Sequence, residues 1–159
     1  MIKLLRIDNR LIHGQIAVGW IKHLEVDRVI VANDKIAQNP TQIATLKMAT
    51  PDGVKCLVIS IKDTVEILND SRADKLAIMI IVNNPADALK IIEAVPKVPY
   101  LNLGNYGQLG STEGLVKLSE TFYCDQDDVS ILKRIKLNGK KIEYQLVPNH
   151  APRNLSDKI

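Results

Sequence analysis

Aromatic side chains are scarce in this chain: one Phe, one Trp and four Tyr among 159 residues. A nucleic-acid groove needs stacking platforms and a clustered basic face. Neither is present, because the net charge is only +3 and no basic run exceeds a pair such as Lys140-Lys141. Cysteine is nearly absent as well. Cys56 and Cys124 form no CxxC pair and have no histidine close in sequence, which argues against a disulfide framework or a zinc site. Both read as buried thiols of a reducing compartment. No basic leader precedes an apolar segment, and no stretch reaches the roughly 18 uncharged residues of a membrane span. The expectation is a soluble cytoplasmic protein.

What the chain has in quantity is aliphatic. Apolar residues make up 46% and charged residues 25%, so Ile, Leu and Val must build the core. At this length a single domain, residues 1–159, can bury roughly 68–70% of its unfolded surface without metal or disulfide. Apolar runs at Ile2–Ile7, Arg28–Ala32, Val54–Ile59, Leu76–Val82, Val98–Leu103, Thr121–Cys124 and Lys141–Val147 read as strands, most of them buried on both faces. Helical patterns lie between them. Asn39 before Pro40, Ser60 before Ile61, Asn84 before Pro85 and Asp125 before Val129–Ile135 are start signals, and Asn138-Gly139 is a stop. The alternation predicts a three-layer α/β fold: a mostly parallel central sheet of about seven strands with helices on both faces, its last strand free to run antiparallel. The tail Pro148–Ile159 reads as a surface extension. A helix face that covers the sheet looks like one that pairs subunits, which leaves a homo-oligomer open.

The residues with chemistry gather where the first strand gives way to a helical stretch containing Trp20: Asp8-Asn9-Arg10-Leu11-Ile12-His13-Gly14-Gln15. In open α/β proteins that junction lies at the carboxyl edge of the sheet, where ligands bind and helix starts attract anions. As a nucleophile toward phosphorus, His13 needs a neutral nitrogen, an exposed position and positive charge nearby. Arg10 and the helix start supply the charge. Asp8 would accept from the other ring nitrogen or brace Arg10, while Gly14 lets backbone approach the anion and Gln15 beside it is a further phosphate-binding candidate. The plainer reading makes His13 a capping residue and Arg10–Asp8 a surface ion pair, and the two readings stand about even. His23 ends a helical pattern and His150 lies in the tail, so no metal site is expected. A second candidate is the segment Gly104–Leu118, with Asn105, Tyr106 and Gly107 following a strand. Its glycine spacing fits neither a dinucleotide loop nor a Walker loop. It is a neutral cradle for phosphate or a partner's surface, or a plain turn.

The string Arg6-Ile-Asp8-Asn-Arg10-Leu-Ile-His13-Gly14-Gln15 resembles the active-site segment of IIB components of the mannose/fructose/sorbose family of the bacterial sugar phosphotransferase system, and the similarity extends to Asn102-Leu-Gly104 and the strand Ile142–Val147. The resemblance implies a cytoplasmic phosphocarrier, peripheral to a membrane transporter. His13 would take a phosphoryl group on Nδ1 from the phosphohistidine of a separate IIA protein and pass it to a sugar held by membrane components IIC and IID. It further implies that Arg10 steadies the phosphate, that Asp8 occupies the family's acidic position, and that no metal or nucleotide cofactor is needed. One departure is visible. Many members read Gly-Gly-Met after the strand ending at Leu103 and then carry a basic residue, whereas this chain reads Gly104-Asn-Tyr-Gly107 and has no Lys or Arg before Lys117. Two other classes compete. Histidine phosphatases place arginine directly before His-Gly, where Ile12 stands here, and a binding module of the same fold would have lost transfer.

Overall fold

Alternate residues of the strands feed two apolar cores, one on each face of a central sheet. The computed structural model describes residues 1–159. Its strands are β1 (Ile2–Ile7), β2 (Arg28–Ala32), β3 (Lys55–Ile59), β4 (Ile78–Val82), β5 (Leu101–Leu103), β6 (Val116–Ser119), β7 (Phe122–Cys124), β8 (Ile142–Tyr144) and β9 (Arg153–Asn154). Seven of them form one sheet in the order β3-β2-β4-β1-β5-β8-β9, parallel except for the β8–β9 pair. Ile78, Ile80 and Val82 of β4 enter one core and Met79 and Ile81 the other, as two-residue periodicity requires.

Helices cover both faces, as expected. A π-helical segment, Gln15–Ile21, and α1 (Pro40–Ala49) pack on one side. On the other are α2 (Ile61–Asn69), α3 (Pro85–Ala94) and α4 (Gln126–Leu137). The predicted caps form. Asn39 Oδ1 accepts the Gln42 N–H at 3.1 Å, Ser60 Oγ that of Asp63 at 3.0 Å and Asn84 Oδ1 that of Asp87 at 2.8 Å. Asp125 and Asp128 complete a reciprocal capping box. At the far end of α4, Gly139 takes a φ of 77° and closes the helix.

Three strand readings change. Thr121–Cys124 does not join the main sheet: β7 pairs antiparallel with β6 in a separate hairpin. Only Glu120 and Thr121 separate the two strands, a connection far too short for a parallel crossover. The run Lys141–Val147 stops as a strand at Tyr144, because the next carbonyls turn toward β1. The tail is more than a surface extension. Arg153 and Asn154 supply the seventh strand, running antiparallel to β8 after a short return, and Leu155 is buried with its N–H on Ile142 O at 2.9 Å.

This topology positions the site. From β1 the chain moves to β2 on one side, and from neighbouring β5 it moves to β8 on the other. The carboxyl ends of β1 and β5 therefore flank a switch point, the place where such sheets open a crevice.

Candidate active site

Residues of β1 alternate across the sheet, so Leu4, Arg6 and Asp8 point to one face. Leu4 enters the core beneath the π-helical segment, and Arg6 follows it with no exposed surface. A guanidinium so enclosed must spend all its donors. Its Nε and Nη2 donate to Asp8 Oδ2 at 3.2 and 3.0 Å, and Nη1 donates to Asn102 Oδ1, the residue opposite it in the β1–β5 register. The remaining N–H groups reach Gln145 O at 2.9 Å and Leu146 O at 3.2 Å. Trp20 completes the enclosure, 2% exposed, with its ring centroid 5.4 Å from the Arg6 Cζ and its Nε1 donating to Leu146 O at 3.0 Å.

The next turn of chain hangs on Asp8. Its N–H continues the ladder onto Val82 O at 2.9 Å, and its Oδ1 accepts the Arg10 N–H at 3.1 Å. Oδ2 takes the two Arg6 donors, the Asn105 Nδ2–H at 3.1 Å and the His13 Nε2 at 3.4 Å. Burial pushes the Asp8 carboxyl up, but the His13 hydrogen bond, the Arg6 charge and the Arg10 amide outweigh it and hold the group below the ordinary carboxylate range. Asp8 is therefore a carboxylate and accepts only. It follows that Nε2 of His13 carries a proton, so that in the neutral ring the lone pair lies on Nδ1. No hydrogen bond engages Nδ1.

The structure brings together Asp8, His13 and Asn105 of the residues singled out in the sequence, and leaves others apart. The Arg10 side chain is exposed and forms no ion pair. The Arg10–Asp8 pair considered above does not exist, because Arg6 takes the carboxylate. The His13 ring is not open to solvent as a bare nucleophile would require. Its side chain is 11% exposed and Nδ1 lies under the surface, since Asp8 draws the ring toward the buried pair. Gly14 and Gln15 are exposed at the helix start, and the space a Gly14 Cβ would enter is empty for 4 Å around. They border an open groove of about 680 Å³ that continues over Val18, Lys22, His23 and Pro148.

Of the second loop only Asn105 joins the site. Tyr106 turns away to donate to Asp128 Oδ2 at 3.0 Å, its phenol pushed far up by burial and by that carboxylate. Gly107 has a φ of 75° and sits so close to Tyr123 O that no side chain could be added.

Trp20 is the core residue under the site that its helical spacing suggests, but the sequence alone assigns Arg6, Asn102 and Gly104 no role there. The available signal was a cation inside a strand buried on both faces, with an acid two residues on and hence on the same face. Gly104 is required for a different reason. A Cβ there would lie 2.2 Å from Arg6 Nη2 and 2.7 Å from Asp8 Oδ2.

Comparison with known proteins finds relatives along the whole chain and the same fold. The family model described as PTS system sorbose subfamily IIB component matches residues 2–159. A probable phosphotransferase enzyme IIB component of Streptococcus pyogenes is 34% identical, covering 100% of this chain and 99% of that protein. The mannose-specific EIIAB component of Escherichia coli is 27% identical over the whole chain, which spans 48% of that longer protein. The crystal structure of the IIBSor domain of the sorbose permease from Klebsiella pneumoniae superposes with a TM-score of 0.90 at 26% identity, covering 99% of this chain and 95% of the other. By the family match along almost its entire length, this chain belongs to the sorbose subfamily of phosphotransferase-system IIB components.

Proposed function

We propose that His13 of this chain accepts a phosphoryl group on Nδ1 from the phosphohistidine of a IIA protein, and that the group then passes to a sugar handled by membrane components IIC and IID, with the chain working on the cytoplasmic side. The observation that carries this reading is the Asp8 carboxylate on Nε2, because it leaves Nδ1 as the only basic nitrogen of the ring. In transfer, the Nδ1 lone pair forms the new N–P bond while the donor's N–P bond breaks and its electron pair returns to the donor imidazole. The His13 ring keeps its Nε2 proton and becomes cationic, and Asp8 holds that charge. The group arrives already activated, so neither nucleotide nor metal is required.

Arg10 is unpaired and follows Asp8 by two residues, which leaves it free to swing onto a phosphate. In this reading Gly14, Gln15 and the first-turn N–H groups, exposed at the helix start, receive the other oxygens. Because Nδ1 is covered at rest, docking of the donor must shift the segment from Asn9 to Gly14. Leu11 in that segment holds a φ of 55°, a conformation that costs a non-glycine residue about 1–2 kcal/mol. Incubation with phosphoenolpyruvate, the general phosphocarriers and IIA tests the reading. The expected product is an acid-labile phosphoprotein that His13→Ala does not form, and undiminished labelling of that variant refutes it.

A further inference from the structure

One oxygen of Asp8 is overcommitted. A carboxylate oxygen offers two lone pairs, yet Oδ2 faces four donors: Arg6 Nη2 at 3.0 Å, Asn105 Nδ2 at 3.1 Å, Arg6 Nε at 3.2 Å and His13 Nε2 at 3.4 Å. Oδ1 has one partner, the Arg10 amide. The imidazole holds the longest of these contacts. Arg6 cannot relinquish its share, because its donors have nowhere else to go in a fully buried position. Asn105 is different. Its backbone is fixed independently, with its carbonyl accepting the Asn9 N–H at 2.8 Å, so its side-chain amide is not needed to hold the loop. That amide is a dedicated competitor for the atom that His13 uses.

We infer that Asn105 is a positioning residue that tunes the stability of phosphorylated His13 by weakening the Asp8–His13 hydrogen bond. The inference rests on His13 as the phosphoryl acceptor. Formation of the N–P bond on the neutral ring places charge on the imidazole, so the Asp8–Nε2 contact stabilises the phosphorylated ring more than the neutral free one. Sharing Oδ2 with Asn105 reduces that difference and leaves the phosphoryl group more readily passed on. A carrier gains from this, since a group held too firmly is not delivered. Releasing one hydrogen bond's worth of competition, about 1 kcal/mol, corresponds to about a fivefold change.

The test uses Asn105→Ala and Asn105→Leu in the full chain. The first removes the donor, and the second removes it while filling its space against a substituting water. In the unphosphorylated protein, heteronuclear NMR should show the His13 Nε2–H proton moving downfield in both variants as its bond to Asp8 shortens. In the phosphorylated protein, the phosphohistidine should hydrolyse about fivefold more slowly, and the equilibrium with phospho-IIA should shift toward this chain by the same factor. An unmoved Nε2–H resonance in either folded variant, or an unchanged or shortened phosphohistidine lifetime, overturns the inference. Failure of the wild-type chain to take up label, with the Nε2–H shift present, would instead refute His13 as acceptor while upholding the competition at Oδ2.

Discussion

Replacing Gly104 with alanine adds a single methyl group at the point where β5 passes closest to the buried ion pair. The new Cβ would stand 2.2 Å from Arg6 Nη2, 2.5 Å from Arg6 Cζ and 2.7 Å from Asp8 Oδ2. None of these can yield cheaply. The guanidinium is fixed by five hydrogen bonds and the carboxylate by the donors around it. Separating a buried pair costs about 3–5 kcal/mol, and the stiffer unfolded chain returns about 0.4–1 kcal/mol of this. The net loss should be about 3 kcal/mol, which for a chain of this size lowers Tm by about 6–12 °C. Urea unfolding followed by circular dichroism measures it. An Arg6→Lys background provides the control, because lysine lacks the Cζ and Nη2 atoms that clash, and there the added cost of Gly104→Ala should fall to about 1 kcal/mol. A Gly104→Ala protein within about 0.5 kcal/mol of wild type would refute the packing described here.

Two further outcomes follow from the same network. The folded Asp8 carboxyl titrates below its ordinary value, so its contribution to stability is present above about pH 5 and is lost as the pH falls through and below about 4; Asp8→Asn should be less stable at neutral pH and show a shallower fall in Tm on acidification. Arg10→Ala should leave Tm unchanged, since the side chain is exposed and unpaired, but slow phosphoryl uptake by about 10²-fold, on the scale of losing one transition-state donor; an unaltered rate would assign Arg10 no part in transfer.

Much of the architecture could be read from local chemistry. Asn39-Pro40, Ser60-Ile61 and Asn84-Pro85 mark helix starts because a side-chain oxygen replaces a missing backbone partner, and this needs no tertiary context. Strands β1, β2 and β4 were evident because burial on both faces demands continuous apolar residues. The failures are non-local. The pairing of Thr121–Cys124 depends on which strand lies next to it, and a two-residue link to β6 decided that. Arg153 and Asn154 have no strand character of their own and pair because β8 offers a free edge. The site divides in the same way. Asp8 and His13 are five residues apart and recognisable as neighbours, but the partners of Arg6 other than Asp8 come from residues 102, 145 and 146, brought to β1 by the sheet order. Sequence proximity offers Arg10, two residues from Asp8, as the partner for its carboxylate, yet strand alternation gives that place to Arg6.

The measurement that bears most directly on phosphoryl transfer is the position of phosphorus on the His13 ring. Heteronuclear NMR of the isotopically labelled, phosphorylated chain separates the two nitrogens. With Asp8 holding the proton on Nε2, phosphorus must be coupled to Nδ1 and the Nε2–H must remain. Phosphorus on Nε2, or on any residue other than His13, would contradict the role assigned to Asp8 and with it the proposed transfer.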